Sequence, residues 1–195
     1  RYAYSNQPQI GLWNLAQFAS TLLPLIGEEH AAIEAATETL EAYKSVYQAE
    51  WLRLFRAKIG CTREEGGDQP LIERLLALMA QDRADFTRVF RGLRNGQARD
   101  EFLDREAFDQ WSADWNERID REPDPQSTMG SANPAVIPRN HQIEAAIQAA
   151  VSGDLEPFRR LNAALATPFD EDPDYADLRL APLEDQRVTR TFCGT

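Results

Sequence analysis

The chain has 195 residues and a mass of 22.1 kDa, with 43% hydrophobic and 27% charged residues, the balance of a globular protein able to bury one sizeable core. Acidic residues outnumber Lys and Arg by 32 to 21, a net charge of −11, which argues against nucleic-acid or anionic-membrane partners because both are bound through clustered Lys and Arg. No apolar run reaches the roughly 18 residues of a membrane span, no secretory leader is visible, and Cys61 and Cys193 show no CxxC or CxxH spacing, so neither a zinc site nor an oxidising compartment is expected and a cytoplasmic, bacterial setting is.

The chain opens Arg1-Tyr2-Ala3-Tyr4 without an initiator Met, and it is expected to be a piece of a longer protein. From there the periodicity is helical nearly throughout. Ile10, Trp13, Leu15, Phe18, Leu22 and Ile26 recur at three- and four-residue steps, with Pro24 and Gly27 closing the pattern. A second stripe through Ile33, Ala36, Leu40, Tyr43, Tyr47, Trp51, Phe55 and Ile59 predicts one long helix over 28–59, capped by Gly60. At 1.5 Å per residue it would run about 45 Å. A polar loop over 62–68 leads into a helix that begins near Asp68 or Gln69 with Pro70 and ends at Met79.

Asp85 reads as the N-cap of a helix over 86–93, and Asn95-Gly96 as a turn. Residues 98–119 keep helical spacing through Phe102, Phe108, Trp111 and Trp115. The stretch 121–133 carries dense turn chemistry and is expected to be a loop. A helical pair follows over 141–151 and 155–165, separated by Gly153-Asp154. Beyond Thr167 the Pro- and Asp-rich composition predicts an extended tail, with 188–192 as a possible short strand. The expected organisation is a mainly α domain over 1–166 and a tail over 167–195.

Few residues suggest chemistry. His30 lies beside two glutamates, where a solvated face is the simpler reading. His141 follows Arg139-Asn140 at a helix start, where it either braces the preceding loop or serves a site. There is no GxSxG, GxxxxGK[ST], GxGxxG, HRD or DFG motif. The run Asp170-Glu171-Asp172-Pro173-Asp174 fails as a calcium loop, with Tyr175 at the sixth position where Gly is needed and Ala181 at the twelfth where Glu is needed. The tryptophans Trp13, Trp51, Trp111 and Trp115 stand at core spacing. No metal-ligand set and no catalytic constellation emerges from the residues alone.

Three stretches carry more. The opening Arg1-Tyr2-Ala3-Tyr4-Ser5-Asn6-Gln7-Pro8 with Trp13-Asn14-Leu15, the segment Asn133-Pro134-Ala135-Val136-Ile137-Pro138-Arg139-Asn140-His141, and the terminus Thr191-Phe192-Cys193-Gly194-Thr195 occur in order and spacing. Together they resemble the selenoprotein O (YdiU) family of protein adenylyltransferases, and the resemblance covers the C-terminal two-fifths of a member. It implies a protein-kinase-like fold with pseudokinase character. It also implies ATP bound in a flipped orientation with Mg²⁺ or Mn²⁺, and AMP transfer to Ser, Thr or Tyr hydroxyls of target proteins. The lysine, Asn, Asp and glycine-containing loop that serve that chemistry lie upstream of the Arg-Tyr-Ala-Tyr motif, so no catalytic, cofactor or metal residue is carried over to this chain.

What does carry over is Cys193, at the position of the family's selenocysteine or cysteine. In the family this position can pair with a cysteine before the Arg-Tyr-Ala-Tyr motif, which implies redox control; a free thiol on a tail is the alternative. Asn6, Gln7, Trp13 and Asn14 would brace the activation segment, direct contact with nucleotide being the alternative, and Arg139 and Asn140 would add structural support from the 133–141 loop, with Arg139 as its hub. The implied partners are the preceding catalytic part of the same protein and its protein substrates. A free-standing helical interaction module is the competing reading.

Overall fold

The computed structural model describes residues 6–188. The Arg-Tyr-Ala-Tyr motif, the strand expected over 188–192 (save Val188) and the Thr-Phe-Cys-Gly-Thr terminus lie outside the described residues. These are mainly helical, with no strand among them. Two compact units divide the chain at Leu54/Phe55.

The first unit, residues 1–54, contains α1 (Gln7–Ile26), α2 (Glu29–Glu41) and most of α3 (Tyr43–Lys58). α1 continues through Pro24 to Ile26, where the sequence places its end. A proline lacks the N–H that would reach back four residues, so the helix tolerates it only near its last turn. Gly27 N–H then donates to the Leu23 carbonyl and closes the helix. The single long helix expected over 28–59 is interrupted at Ala42. The break is slight, since Ala42 keeps φ −67° and ψ −19° and Val46 N–H still donates to its carbonyl at 3.1 Å.

The second unit, residues 55–195, holds the main core. α4 (Asp68–Asp82), α5 (Phe86–Asn95), α6 (Arg105–Ile119) and α7 (Pro125–Ala132) surround it, and α8 (Asn140–Val151) and α9 (Glu156–Ala166) form a hairpin beyond. Trp111 and Trp115 stack with ring centroids 5.5 Å apart, and their indole N–H groups donate to the Leu71 and Ile59 carbonyls. Burying two indoles is favourable only when those donors are satisfied, and here both are. Phe55, Phe86 and Phe90 pack edge-on or tilted around α5. Gly92 lets the chain after α5 press against it, because a Cβ there would stand 2.5 Å from Ala98 N.

Two expectations change here. Residues 98–119 are not one helix: a 3-10 turn over Ala98–Glu101 ends at Phe102, and α6 begins after Asp104, whose carboxylate accepts from Ala107 N–H. Asp82 accepts from the N–H groups of Leu103 and Asp104 and holds the break open. Likewise, the stretch 121–133 is largely helical. Asp124 caps α7 by accepting from Ser127 N–H, with Pro125 in the first turn. Pro there costs nothing because its missing N–H would be unpaired at a helix start.

After α9 the chain forms 3-10 turns over Pro173–Arg179 and Glu184–Gln186. Leu178 is buried with Val136, Leu161 and Ala164, against Ile143, Leu165 and Tyr175. This stretch is tied to the α8–α9 hairpin by an apolar plug as well as by its polar groups.

Candidate functional site

Four of the charged side chains buried in the second unit, Arg56, Asp68, Arg118 and Glu122, form one network at the start of α4. Asp68, fully buried, accepts from Arg56 Nε at 2.8 Å, from Arg118 Nε at 2.7 Å and from Glu65 N–H at 2.9 Å. Glu122 accepts from Thr62 N–H and Oγ1–H, Arg63 N–H and an Arg118 terminal nitrogen. Burial raises the Glu122 pKa, but this ring of donors outweighs it and holds the carboxyl down at about 2. Burial likewise opposes the charge of Arg118, and its bonds to Asp68 and Glu122 prevail and hold it above the ordinary arginine value. Every carboxylate here is saturated by arginine or backbone donors. Such a network ties the 60–68 loop to α6.

Cys61 lies beside this network, buried and unpaired by any disulfide. Burial raises its thiol to about 12, against the smaller opposing pull of Arg118. A thiol so placed is inert, since the thiolate is the reactive form.

A second set pins the segment between α7 and α8. Asn133, 1% exposed, donates from Nδ2 to the carbonyls of Lys58 and Phe90. Arg91 donates to the Asn133 carbonyl at 2.8 Å and reaches Glu171 and the Phe169 carbonyl. Lys58 Nζ donates to the Ala132 carbonyl and stands 5.7 Å from the rings of both Phe86 and Phe90. Burial lowers its pKa. Arg139 closes the far end of the segment. Its terminal nitrogens bond both oxygens of Asp85 at 2.7 and 3.1 Å, while Asp85 also caps α5 through Arg88 N–H.

The residues singled out in the sequence therefore fall in two places. Asn6, Gln7, Trp13 and Asn14 are exposed at and along the start of α1 in the first unit. Trp13 is 52% exposed, so its helical spacing marks a face and not a core. In the second unit Arg139 is buried and Asn140 is exposed at the first position of α8. Cys193 lies outside the described residues. Sequence reading missed Arg91, Asn133, Arg118, Asp68 and Glu122 as organising groups. Only the buried side of each helix could have revealed them, because charged residues at such positions look like solvated surface until their partners are known.

Among the described residues no three His, Cys, Asp or Glu side chains come together to hold a metal ion. The buried carboxylates of this network are already bound by arginine and backbone donors, so they do not suit the Mg²⁺ or Mn²⁺ that the family resemblance implies. No helix among the described residues is long and apolar enough to cross a membrane.

The described residues form a mainly helical protein whose second unit bonds its buried ion pairs internally. Its kinship is specific. The family model of protein adenylyltransferase SelO matches residues 1–166. The chain is 52% identical over its full 195 residues to the protein nucleotidyltransferase YdiU of Ruegeria sp. (strain TM1040), covering 41% of that protein. It is 47% identical to the proteins of the same name in Ruegeria pomeroyi and Roseobacter denitrificans, again over the whole chain and 41% of each relative. The chain belongs to the SelO family. It spans about two-fifths of the length of the curated relatives it matches.

Proposed function

We propose that this chain is the helical C-terminal part of a SelO-type protein adenylyltransferase with a kinase-like fold. In that reading the whole enzyme transfers AMP from ATP, with Mg²⁺ or Mn²⁺, to hydroxyls of target proteins. This part completes the helical lobe, braces the activation segment through Asn6, Gln7, Trp13 and Asn14, and carries Cys193 as a redox-sensitive residue on a C-terminal tail. Arg139 and Asn140 add structural support to the activation segment from the 133–141 loop, which the Arg139–Asp85 pair holds to the start of α5. The match to the SelO family model over residues 1–166 carries the reading.

The surface of the first unit supports it. Leu12, Trp13, Leu15, Phe18, Leu25 and Ile26 are all exposed on α1. α1, α2 and the start of α3 enclose an apolar groove of about 470 Å³ lined by residues such as Leu22, Ala36 and Leu40. A contiguous apolar face of this kind marks a surface made to be covered. The preceding part of the same protein is the partner this reading assigns to it. The same face is what favours the alternative, a free-standing helical interaction module.

The test joins this chain to the N-terminal three-fifths of the Ruegeria relative and follows AMP incorporation into protein from ATP, by intact mass, for the joined protein and for the 195-residue chain alone. Incorporation by the joined protein and none by the chain alone is expected. Incorporation by the chain alone would overturn the assignment, and an inactive but folded joined protein would favour the interaction module.

A further inference from the structure

The second unit carries a groove of about 680 Å³ between the end of α4, the start of α8 and the chain around residues 181–188. Its charged lining is Arg83, Arg139, Arg187 and Asp85, with Asn140 and His141 beside them. This is an unusual accumulation in a chain of net charge −11. The one carboxylate is spent, since both its oxygens are held by Arg139 and one also caps α5. Arg83 has no ion-pair partner among the described residues. It occupies the left-handed position after α4, at φ 54°, where the backbone would favour Gly or Asn; backbone geometry does not explain an arginine there. Among the described residues Arg187 pairs with Glu184 alone, at 3.5 Å, with both side chains exposed, a pairing worth little in water.

The groove's other wall is the beginning of α8, which has neither a side-chain cap nor an acidic residue in its first turn. The positive end of the helix dipole adds positive potential at the same place. Arg139 Nε is buried without a protein acceptor. His141 is half-buried, and its pKa is lowered by burial and by the charge of Arg139.

We propose that this groove is a binding site for a phosphate-type oxyanion, seated between Arg83, Arg187 and the first turn of α8, with the Arg139–Asp85 pair as its rigid wall. Planar guanidinium forks suit phosphate oxygens, and the site is open enough for the phosphate to be free, on a nucleotide or on a modified side chain. His141 reports occupancy directly. A bound dianion would offset the field of Arg139. Arg83, Arg187 and Asp85 are the other charged groups that line the groove.

The chain has only two histidines, His30 and His141, so proton–carbon NMR of the full 195-residue chain resolves both. At constant ionic strength, inorganic phosphate should move the His141 ring signals saturably and raise its pKa, and leave His30 unmoved. Arg83→Gln with Arg187→Gln, both at exposed positions, should weaken binding at least about tenfold while leaving the amide spectrum dispersed. AMP and O-phosphoserine form the parallel arms. A tighter response to AMP assigns the phosphate to a nucleotide, a tighter response to phosphoserine assigns it to a modified protein, and equal responses assign it to free phosphate. A His141 signal that does not move with any of the three, that moves together with His30, or that moves undiminished in the double variant would overturn the site.

Discussion

At the scale of single residues, the chemistry of this chain is set by which charges are already satisfied. Glu122 makes the point. Its carboxylate receives two backbone N–H groups, a hydroxyl and a guanidinium, which hold its pKa at about 2, below the ordinary 4.5. A carboxyl with a depressed folded pKa contributes stability that is complete above its unfolded pKa and disappears as pH falls towards the folded one. The relevant window therefore lies between about pH 4.5 and pH 2. Urea unfolding at pH 7 and at pH 2.5 should show the wild type losing more stability than Glu122→Gln. The difference should be of the order of 1–3 kcal/mol. Equal losses in the two proteins would mean that the donors around Glu122 do not discriminate its charged form. The same variant should be less stable than wild type at pH 7, because it leaves Arg118, a buried cation, with one carboxylate fewer.

At the scale of elements, legibility followed the strength of the local stop and start chemistry. Asp85 was readable as a cap because a charged Asx residue precedes a strongly amphipathic helix, and its carboxylate does accept from Arg88 N–H. α7 was not readable. Gly130, three residues with hydroxyls and two prolines just before and within its first turn look like a loop, and only Asp124-Pro125 hinted at a helix start. What holds the helix is tertiary. Met129 is fully buried, and Gly130 faces the Arg94 guanidinium, with an added Cβ 3.2 Å from it. The ion networks were equally hidden, since Asp68 and Arg118 are fifty positions apart and meet only in the fold. Capping is then the main local contribution to α7. Asp124→Ala should cost about 1 kcal/mol in chemical unfolding and should raise amide exchange within residues 125–132 more than elsewhere. A change below a few tenths of a kcal/mol would show that packing of Met129 alone sustains the helix.

At the scale of the whole molecule, the two units differ sharply in how much apolar surface they remove from water. In the second, Trp111, Phe90, Ile59, Ile72, Leu75 and Met129 are fully buried. In the first, Ala32 is the only fully buried hydrophobic residue among those described, while Leu12, Trp13, Phe18, Leu25 and Ile33 are exposed. Each large side chain taken out of water supplies about 1.5–3 kcal/mol, so α1 and α2 have little to oppose their conformational entropy within the chain itself. Opening free energies follow local burial. Hydrogen exchange of the 195-residue chain should therefore protect α1 and α2 at least about a hundredfold less than α4 and α6, a difference of roughly 3 kcal/mol. Joining the chain to the N-terminal part of a relative should raise protection in α1 and leave α4 and α6 nearly unchanged, because the uncovered groove of the first unit runs along α1 and α2 while the apolar faces of α4 and α6 are already buried in the core of the second. Equal protection in both units of the chain alone would mean that the first unit is self-sufficient, and the face of α1 would then need a different explanation from the one argued here.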